Sequence, residues 1–367
     1  MKGTYIIGEI GQNHNGSVDI AKLIIDLISR PVVEEEFKLQ LKAMDAVKLT
    51  KRDLSEELSD SQMNRPYVND NSFGATYGEH RKFLELSDEQ HFEVYKYAKQ
   101  KGLDFVETLC ATGCLSLLKL FTPDFLKVAS RDLTNLPLLE TLSETKIPMI
   151  LSTGMADKAD LDTALSVITK QHENISILHC VSQYPTNPNN LNLLTIQYLQ
   201  ENYGKYTIGF SDHTIGISAP VAAVAMGAKI IEKHITIDRR MKGTDQKGSL
   251  GPDGVNRMIR DIRMTELSLG KKELFLEPAV ESARIKLERS IATKHDMKKG
   301  DVINLDDIHL LSPGDGVKWS KKETLIGKIL NQDIAKNEII YSNFVIGGGY
   351  DCRVVYNLPL QEHGAVA

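Results

Sequence analysis

Two histidines lie one structural step apart in the stretch Thr207 to Thr236, TIGFSDHTIGISAPVAAVAMGAKIIEKHIT. The pattern predicts a short strand ending near Ser211, a turn carrying His213, a small-residue helix over roughly Pro220 to Met226, and a buried strand, Lys229 to Ile235, carrying His234. A crossover of this length joins neighbouring parallel strands about 4.8 Å apart, so residues at their C-terminal ends converge on one small volume. Two imidazoles there can hold one divalent metal. Period-2 alternation puts Ile230, Glu232 and His234 on one face, so a carboxylate lies beneath the second histidine. The first strand ends in Ser211-Asp212-His213, which adds a hydroxyl and a further carboxylate. Taken singly, each histidine would read as a satisfied polar residue at a strand end. Their topologically equivalent positions favour a shared site.

The other residues fit for chemistry also close apolar runs. Glu9 ends the strand Tyr5 to Glu9, where a carboxylate costs free energy unless something uses it, and the polar turn through Gln12, Asn13 and His14 follows. Lys48, Thr108, Lys127 with Ser130, Ser152 with Thr153 and Gly154, and His179 recur at the same kind of position. Two lysines, several hydroxyls and a Ser-Thr-Gly turn form a nest for a phosphate.

The elements that must position these residues alternate. Beyond the strand at Ala46 to Leu49, a long polar segment from Thr50 to about Glu85 is too long for an ordinary loop. It is either a cover over the site, with Tyr77, His80 and Arg81 as lid residues, or a disordered insertion. Helical patterns then separate strands at Phe105 to Thr108, Phe125 to Val128, Pro148 to Ser152 and Ile175 to His179. The pair of strands bearing the histidines and an amphipathic helix over Pro252 to Leu269 complete the set. Eight strands indicate an α/β protein built as a closed (β/α)8 barrel, in which polar residues at C-terminal strand ends are the catalytic set. The alternative, a doubly wound open sheet, would show a Gly-rich phosphate turn after the first strand, and none is present.

Residues 1–270 are read as the barrel, 271–288 as a charged, helical linker, 289–346 as a small mostly-β domain and 347–367 as a tail, with an edge strand at Arg353 to Leu358. With 25% charged residues, 41% hydrophobic residues and a formal charge of −5, nothing points to nucleic acid or an anionic membrane as partner. The four cysteines show no metal-knuckle spacing and are expected to be reduced thiols. No charged-then-apolar leader opens the sequence and no apolar run approaches ~18 residues, so a cytoplasmic location is expected.

These motifs together strongly resemble the sialic acid synthase family, enzymes that condense phosphoenolpyruvate with a hexosamine-type aldose to give a nonulosonic acid. The matching segments are GEIGQNHNG at 8–16, DAVK at 45–48, LSTGM at 151–155, His179-Cys180 with Tyr184-Pro185-Thr186, GFSDHT at 209–214 and EKH at 232–234. The small domain resembles that family's antifreeze-like module in RSIA at 289–292 and MKKG at 297–300. The resemblance implies His213 and His234 as ligands of Mn²⁺ or Mg²⁺. It implies Lys48, Thr108, Lys127, Ser130, Ser152 and Ser211 around phosphoenolpyruvate, and Glu9, Asp245 and Tyr184 toward the sugar. Asp132 stands where relatives commonly carry a sugar-binding glutamate. A homodimer in which each small domain caps the partner's barrel is also implied. Two departures concern the sugar: Ser312 replaces an arginine that in many relatives reaches the partner's acyl group, and Arg131-Asp132 replaces a more usual Gly-Glu.

The expected chemistry is attack by C3 of phosphoenolpyruvate on a metal-polarised open-chain aldehyde, with the lysines neutralising the anion. Water then adds at C2, with Glu9 orienting it or managing its proton, and phosphate departs. A related ulosonate synthase using another aldose, a metal-dependent pyruvate aldolase and a catalytically silent sugar-binding protein are the competing readings. The last expects losses at Glu9, Lys48 or the histidines, and all are present.

Overall fold

The computed structural model describes residues 3–347. The chain divides between Gly270 and Lys271 into two units.

The first unit is a closed barrel of eight parallel strands: β1 (Tyr5–Glu9), β2 (Ala46–Lys51), β3 (Asp104–Leu109), β4 (Phe125–Val128), β5 (Met149–Ser152), β6 (Ile175–Cys180), β7 (Thr207–Asp212) and β8 (Ile230–His234). β1 pairs with β2 on one side and β8 on the other, so the sheet has no edge. The strands are nearly continuous in buried residues because the interior fills one face and helices cover the other.

Alternation along each strand builds the site. Ile7, Ala46, Val106, Ile150, Leu178 and Ile230 point inward and form one apolar cluster inside the barrel. Two residues further along the same strands stand Glu9, Lys48, Thr108, Ser152, Cys180 and Glu232, the next layer on the same face. An apolar floor therefore lies directly beneath a polar layer. Gly209 keeps two strands close at this level, since a Cβ there would sit 2.5 Å from the Ile230 carbonyl oxygen.

The helices pack by their apolar stripes. α1 (Val18–Ile28) buries Ala21, Ile24, Ile25 and Ile28, and its first turn is capped by Ser17 Oγ, which accepts from Ile20 N at 3.3 Å. The helix at Pro252–Ser268 buries Val255, Met258, Ile259 and Ile262 with the same spacing. After β3 the sequence predicts an α-helix near Leu115 to Leu120. The structure has a 3₁₀ helix, Thr112–Lys119, whose first donors, Thr112 Oγ1 and Gly113 N, are spent on Glu56 Oε2.

Of the two readings of the segment after β2, the ordered cover is the one found. It holds α2 (Leu54–Glu57), α3 (Asp60–Met63) and α4 (Tyr77–Leu84), whose N-termini are capped by Asp53, Ser59 and Thr76. Phe73 stacks on Phe83 at 4.5 Å, and Lys242 Nζ lies 5.0 Å from the Phe73 ring centre, which ties the segment to the loop after β8. A hairpin of Val32–Glu34 and Leu39–Leu41 was not anticipated from the sequence.

The second unit has its own core, with Ile291, Ile303, Ile308, Leu325, Leu330 and Ile340 among its members, and a two-stranded antiparallel sheet of β9 (Ser290–Thr293) and β10 (Ile308–Leu311). Helix is expected from Lys271. The α-helix begins at Glu281, after a short 3₁₀ turn at Pro278–Val280, because proline cannot continue a helix begun before it. Ser312 Oγ donates to the Leu287 carbonyl at 3.0 Å. The strand expected at Arg353 to Leu358 lies outside the described residues.

Candidate active site

The C-terminal ends of the strands open into a cavity of about 270 Å³. Its wall holds eleven of the twelve residues singled out from the sequence: Glu9, Lys48, Thr108, Lys127, Ser130, Ser152, Tyr184, Ser211, His213, His234 and Asp245. The twelfth, Asp132, is not on the wall. Ser130–Asp132 winds as a 3₁₀ turn, which rotates successive side chains by about 120°. Ser130 and Arg131 face the cavity, while the Asp132 carboxylate turns aside to accept from Arg131 Nε at 3.2 Å.

At the bottom, two ammonium groups share two carboxylates. Lys48 Nζ is 2.8 Å from Glu9 Oε2, 3.8 Å from Glu232 Oε1 and 3.4 Å from Thr108 Oγ1. Lys127 Nζ is 3.6 Å from Glu232 Oε2, and Ser211 Oγ donates to Glu232 Oε1 at 3.1 Å. Burial raises the cost of charge on Glu232, yet Lys127 and Lys48 hold its pKa down at about 2. Glu9 is pushed the other way, up to about 7, by burial above all; Lys48 opposes this and the Glu232 charge adds to it. Burial lowers the pKa of Lys127, whereas on Lys48 the charges of Glu232 and Glu9 overcome burial and raise it. One carboxylate thus stays charged while its neighbour titrates near neutrality, the condition for moving a proton at physiological pH.

Among the described residues, buried polar atoms on the wall without a hydrogen-bond partner include Gln12 Nε2, Ser152 Oγ and His234 Nδ1. Ser130 Oγ accepts from the Gly154 backbone N–H at 3.0 Å, which closes the turn after β5 against the turn after β4.

The imidazole rings of His213 and His234 are 5.6 Å apart between centres. Tyr184, largely exposed, lies over His213 at 4.0 Å. His213 Nδ1 is 3.0 Å from the Val181 carbonyl, which can only accept, so Nδ1 carries the hydrogen and Nε2 the lone pair. Burial lowers both pKa values, that of His213 to about 4 with His234 adding to the effect, so both rings are neutral at pH 7. Neutral rings with an open lone pair and an unpartnered His234 Nδ1 fit a divalent cation. Among the described residues no group of three or more His, Cys, Asp or Glu is placed to hold a metal, so the pair would need other ligands to fill its shell.

Two strand-end residues lie elsewhere. His179 faces out of the barrel, its Nε2 2.7 Å from the Leu191 carbonyl and its ring 5.7 Å from Phe210. Asp212 also faces outward, where it accepts from Lys233 Nζ at 2.5 Å. Sequence reasoning did not name Arg52 or Cys180 as wall residues. Neither carried a signal: β6 is buried along its whole length and shows no alternation, and Arg52 follows its strand. Cys110, Cys114 and Cys180 are free thiols; Cys352 lies outside the described residues. No helix among the described residues is long and apolar enough to cross a membrane.

Comparison with known proteins agrees with this geometry. Residues 39–274 match the model of the NeuB family and residues 288–345 that of the SAF domain. N-acetylneuraminate-9-phosphate synthase of Homo sapiens is 33% identical, covering 82% of this chain and 81% of that protein. N,N'-diacetyllegionaminic acid synthase of Campylobacter jejuni is 31% identical, covering 93% and 99%. The crystal structure of N-acetylneuraminic acid synthetase from Leptospira borgpetersenii superposes with a TM-score of 0.64 at 30% identity, covering 77% of this chain and 90% of that one. These matches bear out the resemblance drawn from the motifs: the chain belongs to the NeuB family and carries a SAF domain after its barrel.

Proposed function

We propose that this protein is a nonulosonic acid synthase, condensing phosphoenolpyruvate with an open-chain aldose of the N-acetylmannosamine type and releasing phosphate. The observation that carries the reading is the lysine pair lining one cavity together with Thr108, Ser130, Ser152 and Ser211 and with two neutral histidines. Relatives with whole-chain similarity are named as synthases of sialic and legionaminic acids.

In this mechanism Lys48 and Lys127 exchange part of their pairing with Glu9 and Glu232 for the charges of phosphoenolpyruvate, and the hydroxyls orient it. The C2=C3 π pair of phosphoenolpyruvate forms a new bond from C3 to the aldehyde carbon, the carbonyl π pair passes to the aldehyde oxygen, and that oxygen takes up a proton from solvent. The oxygen of a water molecule adds at C2, and Glu9 takes the proton that water gives up. The bond from C2 to the phosphate oxygen then breaks, leaving a keto acid and inorganic phosphate. His213 and His234 would hold Mn²⁺ or Mg²⁺, which would supply Lewis-acid polarisation of the aldehyde oxygen. Tyr184 and Asp245 face the sugar. We also infer a homodimer in which the SAF domain of one copy closes the barrel of its partner, to be checked by light scattering.

The test is phosphate release from phosphoenolpyruvate across a panel of aldoses, with Mn²⁺ or a chelator. Metal-dependent release with one member is expected. Glu9→Gln should abolish turnover while phosphoenolpyruvate still raises the melting temperature. Absence of both turnover and phosphoenolpyruvate binding in the natural protein would sink the synthase reading.

A further inference from the structure

The lysines and hydroxyls account for phosphoenolpyruvate, and the wall carries more positive charge than that. Arg52, Arg81 and Arg131 also line the cavity. They come from separate places in the chain: the link between β2 and α2, the body of α4, and the turn after β4. They converge on a single carboxylate of the cover, Glu57. Arg131 Nη2 lies 2.7 Å from Glu57 Oε2 and Arg52 Nη1 3.5 Å from the same oxygen. The Arg81 charge acts on Glu57 as well.

This cluster is not saturated. Glu57 Oε1 and the Nε and Nη1 of Arg52 are buried without hydrogen-bond partners. Among the described residues Arg81 has no carboxylate within ion-pair reach; its Nε and Nη2 donate to Tyr77 Oη at 2.8 and 2.6 Å. The carboxyls that could neutralise the rim, Glu57, Glu85 and Asp132, are all raised in pKa by burial, so negative charge there is costly. Arg52 Nε lies 3.5 Å from Glu85 Oε1 and Arg131 Nε 3.2 Å from Asp132 Oδ2, so these carboxyls neutralise the arginines only as far as burial lets them stay charged, and Arg81 has no such partner among the described residues. Guanidinium forks match the paired oxygens of a phosphate, and three can hold one dianion.

We propose that Arg52, Arg81 and Arg131 bind an anionic group carried by the aldose at the end remote from its aldehyde, a phosphate monoester being the class that fits. The proposal rests on the synthase reading and deepens it by naming the substrate class. Glu57 then holds the guanidiniums together until the phosphorylated sugar arrives. None of the three arginines is ion-paired to Glu9 or Glu232, the carboxylates of the lysine pair, so their loss is read first in the sugar.

The test compares phosphate release from phosphoenolpyruvate with N-acetylmannosamine 6-phosphate and with N-acetylmannosamine, using the full chain. The expected ratio of kcat/KM favours the phosphorylated sugar by about tenfold or more, in keeping with charge-assisted pairs in a partly buried site. Arg131→Gly and Arg81→Met are each expected to raise the KM of the phosphorylated sugar and narrow that ratio, with the KM of phosphoenolpyruvate held. A purely structural role, tying the cover to the barrel, would instead lower both sugars alike and leave the ratio intact, which overturns the proposal. So does preference for the neutral sugar. An arm independent of the sugar skeleton titrates inorganic phosphate into protein saturated with phosphoenolpyruvate. A second anion site, lost in Arg131→Gly at unchanged melting temperature, supports the rim, and its absence from the natural protein overturns it. Failure of the synthase reading looks different: no phosphoenolpyruvate binding at all.

Discussion

A Cβ on Gly154 would lie 2.4 Å from Ser182 Oγ and 2.8 Å from both Cys180 Sγ and Ser130 Oγ, all on the cavity wall. The backbone is therefore let close to hydroxyls that the proposed reaction sets around phosphoenolpyruvate, and Gly154→Ala must displace them. The expected result is a rise of about tenfold or more in the KM of phosphoenolpyruvate, with a smaller change for the sugar, measured by phosphate release. His14, on the turn after β1, makes a different prediction. It is buried, accepts from Gly16 N at 3.0 Å, and its pKa is pushed down to about 3 by burial first and by His91 second. The unfolded chain takes up that proton near 6.5 and the folded chain does not, so stability is full above that pH and is lost as pH falls through the window toward 3. Between about pH 7.5 and pH 5 this costs on the order of 2 kcal/mol, which His14→Asn should largely remove in urea denaturation. Single residues were legible where their type was costly in place: Glu9 closes an apolar strand and Lys48 interrupts one, and both are in the site. His179 was not, because β6 is buried on both faces and gives no alternation from which to read its direction.

At the level of elements, β7 and β8 are clamped on their outer face. Lys233 Nζ donates to Asp212 Oδ2 and to the Thr214 carbonyl, each at 2.5 Å, while Thr214 N donates to Asp212 Oδ1 at 2.8 Å. The loop carrying His213 is thereby fixed to the strand carrying His234. Removing one partner strands a buried charge, so Lys233→Met is expected to cost on the order of 3–5 kcal/mol. Adding Asp212→Asn should recover much of that, and a double-mutant cycle in chemical denaturation measures the difference. The eight strands were legible because each is a short apolar run followed by a helical period, and strand length and order followed closely. The hairpin at Val32–Glu34 and Leu39–Leu41 was hidden by strands of three residues, too short to show a period. The order in the segment after β2 was hidden for a related reason: α2 and α3 bury no residue and owe their form to their caps, α2 also to the ion pairs of Glu57.

For the molecule as a whole, topology carries the reaction class while convergence of distant residues carries the choice of sugar. A parallel barrel puts every strand end at one mouth, so a strand-by-strand reading finds the lysines, hydroxyls and histidines together. Arg52, Arg81 and Arg131 follow no strand period, and only folding the cover down brings them to one carboxylate. The apolar floor of Ile7, Ala46, Val106, Ile150, Leu178 and Ile230 has a further effect, on traffic. It leaves the site a single door. The reactant held deepest must enter before the sugar closes the way, and the fragment it leaves behind cannot depart until the larger product has cleared the mouth. Turnover should accordingly be ordered, phosphoenolpyruvate first in and phosphate last out. Added inorganic phosphate should then inhibit competitively against phosphoenolpyruvate and, in Arg131→Gly, where the second anion site is lost, not against the aldose.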